Sequence, residues 1–330
     1  MPPLSLQSAK YQTVPLTQIN LQNDTYRITT REDVDELLVS VQYDGLINPP
    51  MLIKNNSAYV IISGFRRVNA CQKLGWNEII VRILDSDADQ LDCVRLAIAE
   101  NAFQRPLNLI EMSRAFQKLS SFFDSNSQLL EAVSTLGLPT NPSIIKKIKN
   151  LCLLPWPVQC TILNDAISLS MAGELGILDP DSAIAFARLF DQLKLSLNKQ
   201  KEILTLVDEI ARRGNSSVRQ VMQEPGLQKI INDKDLDRAQ KARQIRSILR
   251  RWRFPRIIEA EKNYQIHLKQ LKLGSDIKIV PPKDFEGTSY TLTLNFTNLA
   301  QLAELRNRLD QLLTHPSFEK IVEGPDISAG

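Results

Sequence analysis

Residues 58–75 read AYVIISGFRRVNACQKLG and predict a strand that turns directly into a helix. The run 59–62 is typical of a buried strand, and Gly64 permits a tight turn that other residues resist. Arg66 and Arg67 follow at the helix start, where the helix dipole makes cations unfavourable. A bound anion would reverse that cost, so one interpretation of the turn is a phosphate site. The other interpretation is a surface turn whose arginines pair with neighbouring carboxylates.

The composition limits the class of protein. At 330 residues, with 43% hydrophobic and 23% charged residues, we expect a soluble globular protein of more than one domain. The net charge of +3 is too small to identify a polyanionic partner by itself. Four cysteines without a C-x-x-C pair, beside two histidines, predict neither a zinc site nor a disulfide framework. Without a signal-like start or 18 consecutive apolar residues, we expect a cytoplasmic protein with no membrane partner.

The first 110 residues alternate strands and helices. A helix is expected over 30–45, capped by Thr30 and ended by Gly45. The other predicted elements are strands 51–54, 58–62 and 79–84 and helices 66–74 and 89–101. Asn108 and Glu111 have the spacing of a capping box that starts the next helix. This part therefore reads as a small α/β unit.

Residues 108–222 read as helices throughout and contain a candidate helix-turn-helix at 129–155. Its second helix opens at Pro142 and places Ile144, Ile145, Ile148 and Leu151 on an inner face. Lys146, Lys147 and Lys149 fall outside that face and would contact phosphates, while Asn141 and Ser143 at the helix start would contact base edges. The alternative is an ordinary helical hairpin with solvated lysines.

The C-terminal third predicts a linker, a basic helix and a small α/β unit. Residues 224–240 are assigned to the linker. Four arginines then share one helix face and would contact DNA phosphates: Arg243, Arg246, Arg250 and Arg253. Strands near 276–282 and 288–296 and a helix over 298–313 follow. Because a two-stranded sheet is only marginally stable alone, we expect this unit to pair with a second copy.

A second polar stretch complements the twin arginines. In AENAFQRPLNLIE, residues 99–111, Glu100, Asn101 and Arg105 stand at a helix-to-helix corner. Gly64, Arg67 and Arg105 could hold triphosphate oxygens, and Glu100 with Asn101 could ligate Mg²⁺. No P-loop sequence is present. Taken singly, Glu100-Asn101 fits the polar end of a fraying helix better than a metal site.

Taken in order, these residues resemble the ParB family of DNA partition proteins over nearly the whole chain. SGFRRVNA resembles its G-E-R-R-x-x-A box, and AENAFQRPLNLIEMSRAFQKL resembles its E-N-x-x-R…L-N-x-x-E box. VPLTQINLQND, GLINPPMLIK and LCLLPWPVQCTILNDAISLSMA resemble three further family segments. Residues 271–313 resemble the family's C-terminal dimerisation unit.

The resemblance implies an α+β multidomain fold: a ParB/sulfiredoxin-like α/β domain (1–110), an all-α helix-turn-helix domain (111–223), the linker (224–240), and a basic helix with a dimerisation domain (241–330). It also implies a homodimeric clamp on double-stranded DNA that binds CTP and Mg²⁺ near a centromere-like site and hydrolyses CTP slowly. It further implies a nucleoid-associated protein for which a ParA-type ATPase is a possible partner. Gly64, Arg66, Arg67, Asn101 and Arg105 would contact the nucleotide, with Glu100 and Asn101 at the metal.

Several departures from the family pattern bear on function. Phe65 replaces the usual glutamate, Gln104-Arg105 lie one residue late relative to Glu100, and Pro106 replaces a usually polar residue. The N-terminus lacks the basic, Gly- and Leu-rich peptide by which relatives stimulate a ParA-type ATPase. Two alternatives stay open: an enzyme, either a nuclease or a sulfiredoxin-like redox protein, and a nucleoid-occlusion or transcription-regulating protein without productive CTP hydrolysis. Redox chemistry is disfavoured because Cys71 lies inside the helix rather than ahead of the arginine turn.

Overall fold

The computed structural model describes residues 9–323, and the chain forms two compact units, Met1–Gln200 and Lys201–Gly330. Residues 1–8, on which the expectations of no signal peptide and no ATPase-stimulating peptide rest, lie outside the described part. Within 9–323, none of the helices has both the length and the apolar character that crossing a membrane requires. Strands and helices in one chain confirm the predicted α+β class.

The first unit begins with a mixed five-stranded sheet made of β1 Lys10–Pro15, β2 Ile19–Asn20, β3 Met51–Asn55, β4 Ala58–Ser63 and β5 Glu78–Leu84. The strands lie in the order β1-β5-β3-β4-β2. β1–β5 and β3–β4 pair antiparallel, whereas β5–β3 and β4–β2 pair parallel. Three helices complete this α/β part. They are α1 Asp35–Asp44, α2 Phe65–Lys73 and α3 Gln90–Ala102.

The core of this sheet forms against α1 and α2. Leu52 and Ile61 are fully buried there against Val34 and Val68. The predicted strands and the end of α1 at Gly45, with φ +75°, are confirmed. The predicted start of α1 is wrong, because Val34 rather than Thr30 precedes the helix. Thr30 is instead held by α4 (Leu109–Ser120), since its N–H donates to Glu111 Oε1 at 3.0 Å.

Helices make up the rest of the first unit, as predicted. They are α4, α5 Asn126–Ser134, α6 Pro142–Ile148, α7 Trp156–Leu163, α8 Leu169–Leu175 and α9 Pro180–Leu193. α5 and α6 both pack against α4, and Ile145, Ile148 and Leu151 are buried as expected. Ile144 is the exception, because 41% of it is exposed.

The second unit contains α10 Leu197–Arg213 (which begins just before the unit boundary), α11 Val218–Met222, α12 Pro225–Asn232, α13 Arg238–Arg253 and α14 Pro255–Leu271. The hairpin of β6 Ile277–Val280 and β7 Thr291–Leu294, then α15 Leu299–Leu313 and α16 Pro316–Glu323, complete it. The predicted helix–strand–strand–helix order is present. The stretch expected to be a loose linker instead contains α12, which packs on α13 with Leu227 fully buried.

We expect Leu227→Ala to lower the free energy of unfolding of the second unit by about 2–5 kcal/mol, because truncating a buried leucine leaves a cavity. Trp252 lies next to Gly226 on α12, so urea unfolding can be followed by fluorescence in a variant where Trp252 is the sole tryptophan. The control is Lys229→Ala on the exposed side of α12. Equal stability of the two variants would restore the loose-linker interpretation.

Candidate functional site

A cavity of about 270 Å³ lies where β4 turns into α2, beside the end of α3. It collects every residue predicted to contact nucleotide or metal: Gly64, Arg66, Arg67, Glu100, Asn101 and Arg105. Tyr26, Ile28, Leu37 and Ile62 add apolar wall. Residues 64–67 and 100–105 are far apart in the sequence, but they lie together because α3 packs against β4.

Gly64 forms the turn at the base of the cavity. Its φ of +96° is left-handed, and a Cβ there would lie 2.9 Å from Pro50 Cβ, so only glycine fits. The first hydrogen bond of α2 runs from Val68 N–H to Gly64 O. The N–H groups of residues 65–67 precede that bond and have no partner within the helix. Backbone donors and the positive helix end therefore meet in the cavity.

The twin arginines are held differently. Arg66 Nε donates to the main-chain oxygen of Asp33 at 2.7 Å. Arg67 Nη1 donates to Asn48 O at 2.5 Å, and its Nη2 forms an ion pair with Glu100 Oε1. Arg67 pairs with a carboxylate, as one interpretation of the turn expects, and it also lines the cavity. The phosphate site stays a prediction.

Glu100 and Asn101 were predicted to hold a metal. Glu100 Oε2 is buried and has no hydrogen-bond partner among the described residues, which suits a carboxylate oxygen awaiting a cation. Asn101 Nδ2 donates to Ala97 O at 2.8 Å, leaving Oδ1 as its free ligand atom. No cluster of three metal-binding His, Cys, Asp or Glu residues exists in 9–323. These residues fit Mg²⁺ only as a partial ligand set that phosphate oxygens or water would complete.

Arg105 lines the cavity, but its two Nη atoms donate to Glu111 Oε2 and Oε1, each at 2.7 Å. Glu111 is fully buried, so this ion pair is a structural one. Burial raises the pKa of Glu111, yet hydrogen bonds from Arg105, Thr30 and Asn108 outweigh it and hold that pKa below its ordinary value. The assignment of Arg105 to the nucleotide stays a prediction, and its bond to Glu111 opposes it.

Sequence reasoning missed the side chains of α4 that hold residues 24–30, the segment that forms the cavity's apolar wall. Arg114 Nη1 donates to Thr29 O at 2.7 Å, and Lys118 Nζ donates to Thr25 O at 2.6 Å. Burial lowers the pKa of Lys118. The signal was available in the sequence, because Glu111, Arg114 and Lys118 recur at helical spacing on one face.

The candidate DNA-contacting residues of the first unit lie around α6. Asn141 caps this helix, because its Oδ1 accepts from the N–H of Ser143 at 2.9 Å. Ser143, Lys146 and Lys147 are exposed, and Lys149 is half-buried.

The arginine face of α13 is divided. Arg246 Nε donates to Glu202 at 2.7 Å, and Arg253 Nε donates to Glu209 at 2.6 Å while its guanidinium lies 4.5 Å from the Phe254 ring centroid. Arg243 and Arg250 are exposed. The intramolecular pairs leave these two as the arginines best placed to contact a phosphate.

Comparison with known proteins identifies the first part of the chain. Residues 3–102 match the model of the ParB N-terminal domain, which contains every cavity residue up to Asn101. This match covers 100 of the 330 residues, so it shows a ParB N-terminal domain in the first part of the chain. The family match stops before Arg105 and before the helices around α6.

Two relatives carry different names. A probable chromosome-partitioning protein ParB from Campylobacter jejuni is 37% identical over 89 residues, 27% of this chain and 31% of that protein. A nucleoid occlusion protein from Geobacillus kaustophilus is 31% identical over 138 residues, 42% of this chain and 47% of that protein. The chain thus spans less than half the length of these two relatives.

Among solved structures, a C-terminally truncated ParB from Caulobacter crescentus complexed with CTP-γ-S is 23% identical. The match covers 55% of this chain and 98% of that one, with a TM-score of 0.26. A similarity of this size carries no argument about the site.

Glu111→Gln should lower the free energy of unfolding by about 3–5 kcal/mol at pH 7, because it leaves Arg105 without its anion. Since the folded-state pKa of Glu111 is depressed, this contribution is present above the ordinary glutamate pKa and is lost as pH falls below it. The difference from wild type in urea unfolding should therefore shrink as pH falls. Glu131→Gln, on the exposed side of α5, is the control. A difference that does not vary with pH would assign the loss to packing instead.

Proposed function

We propose that this chain is a DNA-binding partition protein that binds CTP with Mg²⁺ and closes as a clamp around the duplex. The observation that supports it most is the single cavity at the start of α2, which gathers free backbone donors, Arg66, Arg67, Glu100 and Asn101. The match of residues 3–102 to the ParB N-terminal domain supports the nucleotide class, because geometry alone does not select cytosine. Its expected role is chromosome or plasmid segregation.

In this proposal the N–H groups at the start of α2 and the guanidinium of Arg67 bind phosphate oxygens. Glu100 and Asn101 would hold Mg²⁺, which neutralises phosphate charge when it is bound. Arg67 and Glu100 are 19% and 30% exposed, so the ion pair between them is partly solvated and opens at modest cost. Glu100 can then use Oε2 for the cation while Arg67 turns to the phosphates.

Hydrolysis of CTP stays an expectation from the family resemblance. Phe65 is buried, and Arg27 lies 5.6 Å from its ring centroid, so an aromatic side chain occupies the position of the usual glutamate. A carboxylate at this position could orient water or a cation, and a phenyl ring cannot. In the proposed function, binding of the nucleotide, rather than its hydrolysis, therefore switches the protein.

DNA contact is proposed for two regions, the helix pair α5–α6 and the helix α13. The helices α5 and α6 would read the centromere-like site, with Ser143 and Lys147 exposed on α6. The exposed Arg243 and Arg250 of α13 would add salt-dependent affinity for phosphates.

Two copies would join through the C-terminal hairpin, where Leu292 and Phe296 are 38% and 49% exposed. A ParA-type ATPase is a candidate partner.

A nucleoid-occlusion role is the second candidate, because the Geobacillus kaustophilus relative carries that name. Deleting the gene separates the two roles. Loss of segregation with normal placement of division septa supports partition, and septa formed over the nucleoid support occlusion.

Arg67→Ala should weaken CTP–Mg²⁺ binding at least tenfold, since a charge-assisted hydrogen bond contributes about 1.5–3 kcal/mol. Isothermal titration of CTP, ATP and GTP, each with and without Mg²⁺, measures this. Lys73→Ala is the matched control, because it removes one positive charge from the exposed C-terminal end of the same helix. Equal affinities of wild type and Arg67→Ala would remove Arg67 from the site.

Arg243→Ala combined with Arg250→Ala should reduce the slope of log K against log salt for DNA binding by about 1.8 per protomer, at about 0.9 for each phosphate contact. Fluorescence anisotropy at several salt concentrations gives the slope. Lys262→Ala with Lys269→Ala removes equal charge from exposed positions of α14. If both pairs change the slope alike, general charge rather than the face of α13 sets the affinity.

A further inference from the structure

Ile144 is a β-branched apolar residue exposed on the proposed recognition helix. It is 41% exposed, whereas Ile145 and Ile148 on the same helix are 7% and 2% exposed and form the contact with the core. Packing within the first unit therefore does not account for Ile144. Ser143 and Lys147, which are adjacent and three residues away, are exposed as well. The three side chains form one outward surface of α6.

The cap at Asn141 changes which residues of α6 can read a base. Asn141 Oδ1 accepts from the N–H of Ser143 at 2.9 Å and from that of Ile144 at 3.3 Å. Bidentate reading of adenine needs both the oxygen and the nitrogen of an asparagine amide. Asn141 can offer only its nitrogen without giving up the cap. The outward surface of Ser143, Ile144 and Lys147 is left to face the bases.

We propose that Ile144 contacts the 5-methyl group of a thymine in each half of the DNA site. This inference rests on the proposed DNA binding through α6. In the major groove, the thymine methyl is the one apolar feature that a base edge presents, and apolar side chains recognise it by contact. Ser143 can hydrogen-bond to a neighbouring base, and Lys147 can reach guanine or phosphate. The expected site therefore has an obligatory thymine next to positions read by polar groups.

The first step of the test is to select binding sequences with the full-length wild-type protein from a random duplex library. Each thymine of the selected site is then replaced, one at a time, by deoxyuridine, which lacks only the 5-methyl group. Wild type should lose affinity about fourfold at one thymine per half-site, which corresponds to roughly 0.8 kcal/mol for one buried methyl-sized group. Other thymines should show little change.

Variants then identify the side chain in contact. Ile144→Ala should bind the thymine site about fourfold more weakly than wild type, and replacing the thymine by deoxyuridine should not weaken its binding further. For Ile144→Val, the same replacement should still weaken binding, but by less than it does for wild type. Because Ile144 is exposed, we expect both variants to fold. Ile177→Ala, at an exposed isoleucine outside α6, should behave as wild type.

The inference is overturned if no deoxyuridine weakens wild-type binding, or if Ile144→Ala shows the same loss as wild type. In either case a selected, specific sequence would leave the DNA-binding proposal standing. Failure to select any sequence would reject that proposal, and this inference with it.

Discussion

The buried carboxylate of Glu111 is the interaction on which the first unit depends. Five groups converge on it: two Nη atoms of Arg105, the N–H and the hydroxyl of Thr30, and the N–H of Asn108. A fully buried charge is stable only when it is paired and hydrogen-bonded, so all these donors must be in place together. One side chain therefore fixes the start of α4, the corner after α3 and the segment before α1.

The same helix supports both candidate sites of this unit. One side of α4 holds residues 24–30 at the cavity through Arg114 and Lys118. From its other side, Ser113 Oγ donates to Lys149 O at 2.9 Å and accepts from Cys152 N–H at 2.8 Å, just past α6. A displacement of residues 24–30 would therefore be transmitted through a rigid helix to the end of α6. In the proposed function, this arrangement would let nucleotide binding and DNA contact influence each other within one unit.

Local rules predicted the parts of this fold that local interactions determine. The capping box of Asn108 and Glu111 and the glycine turn at Gly64 follow from short-range hydrogen bonding and backbone sterics. The prediction that Thr30 caps α1 was wrong because Thr30 hydrogen-bonds to Glu111, a residue 81 positions away, instead. The prediction that Ile144 lies on the inner face of α6 was wrong for a different reason. Helical periodicity defines an apolar stripe along the helix, but tertiary packing decides which residues of that stripe are buried. The prediction that all four arginines of α13 face DNA was incomplete because it also depended on tertiary contacts. Arg246 and Arg253 pair with Glu202 and Glu209, which lie on another helix.

Arg67 and Arg105 show why residue type alone could not define the candidate site. Both line one cavity and both pair with a glutamate. The partner of Arg105 is 0% exposed, so separating that pair would strand a charge in the interior. The partner of Arg67 is 30% exposed and has a second oxygen without a hydrogen-bond partner among the described residues, so in the proposed function water and a cation would replace the arginine. Burial of the partner carboxylate, which the sequence does not reveal, separates an arginine that can exchange partners from one that holds the fold together.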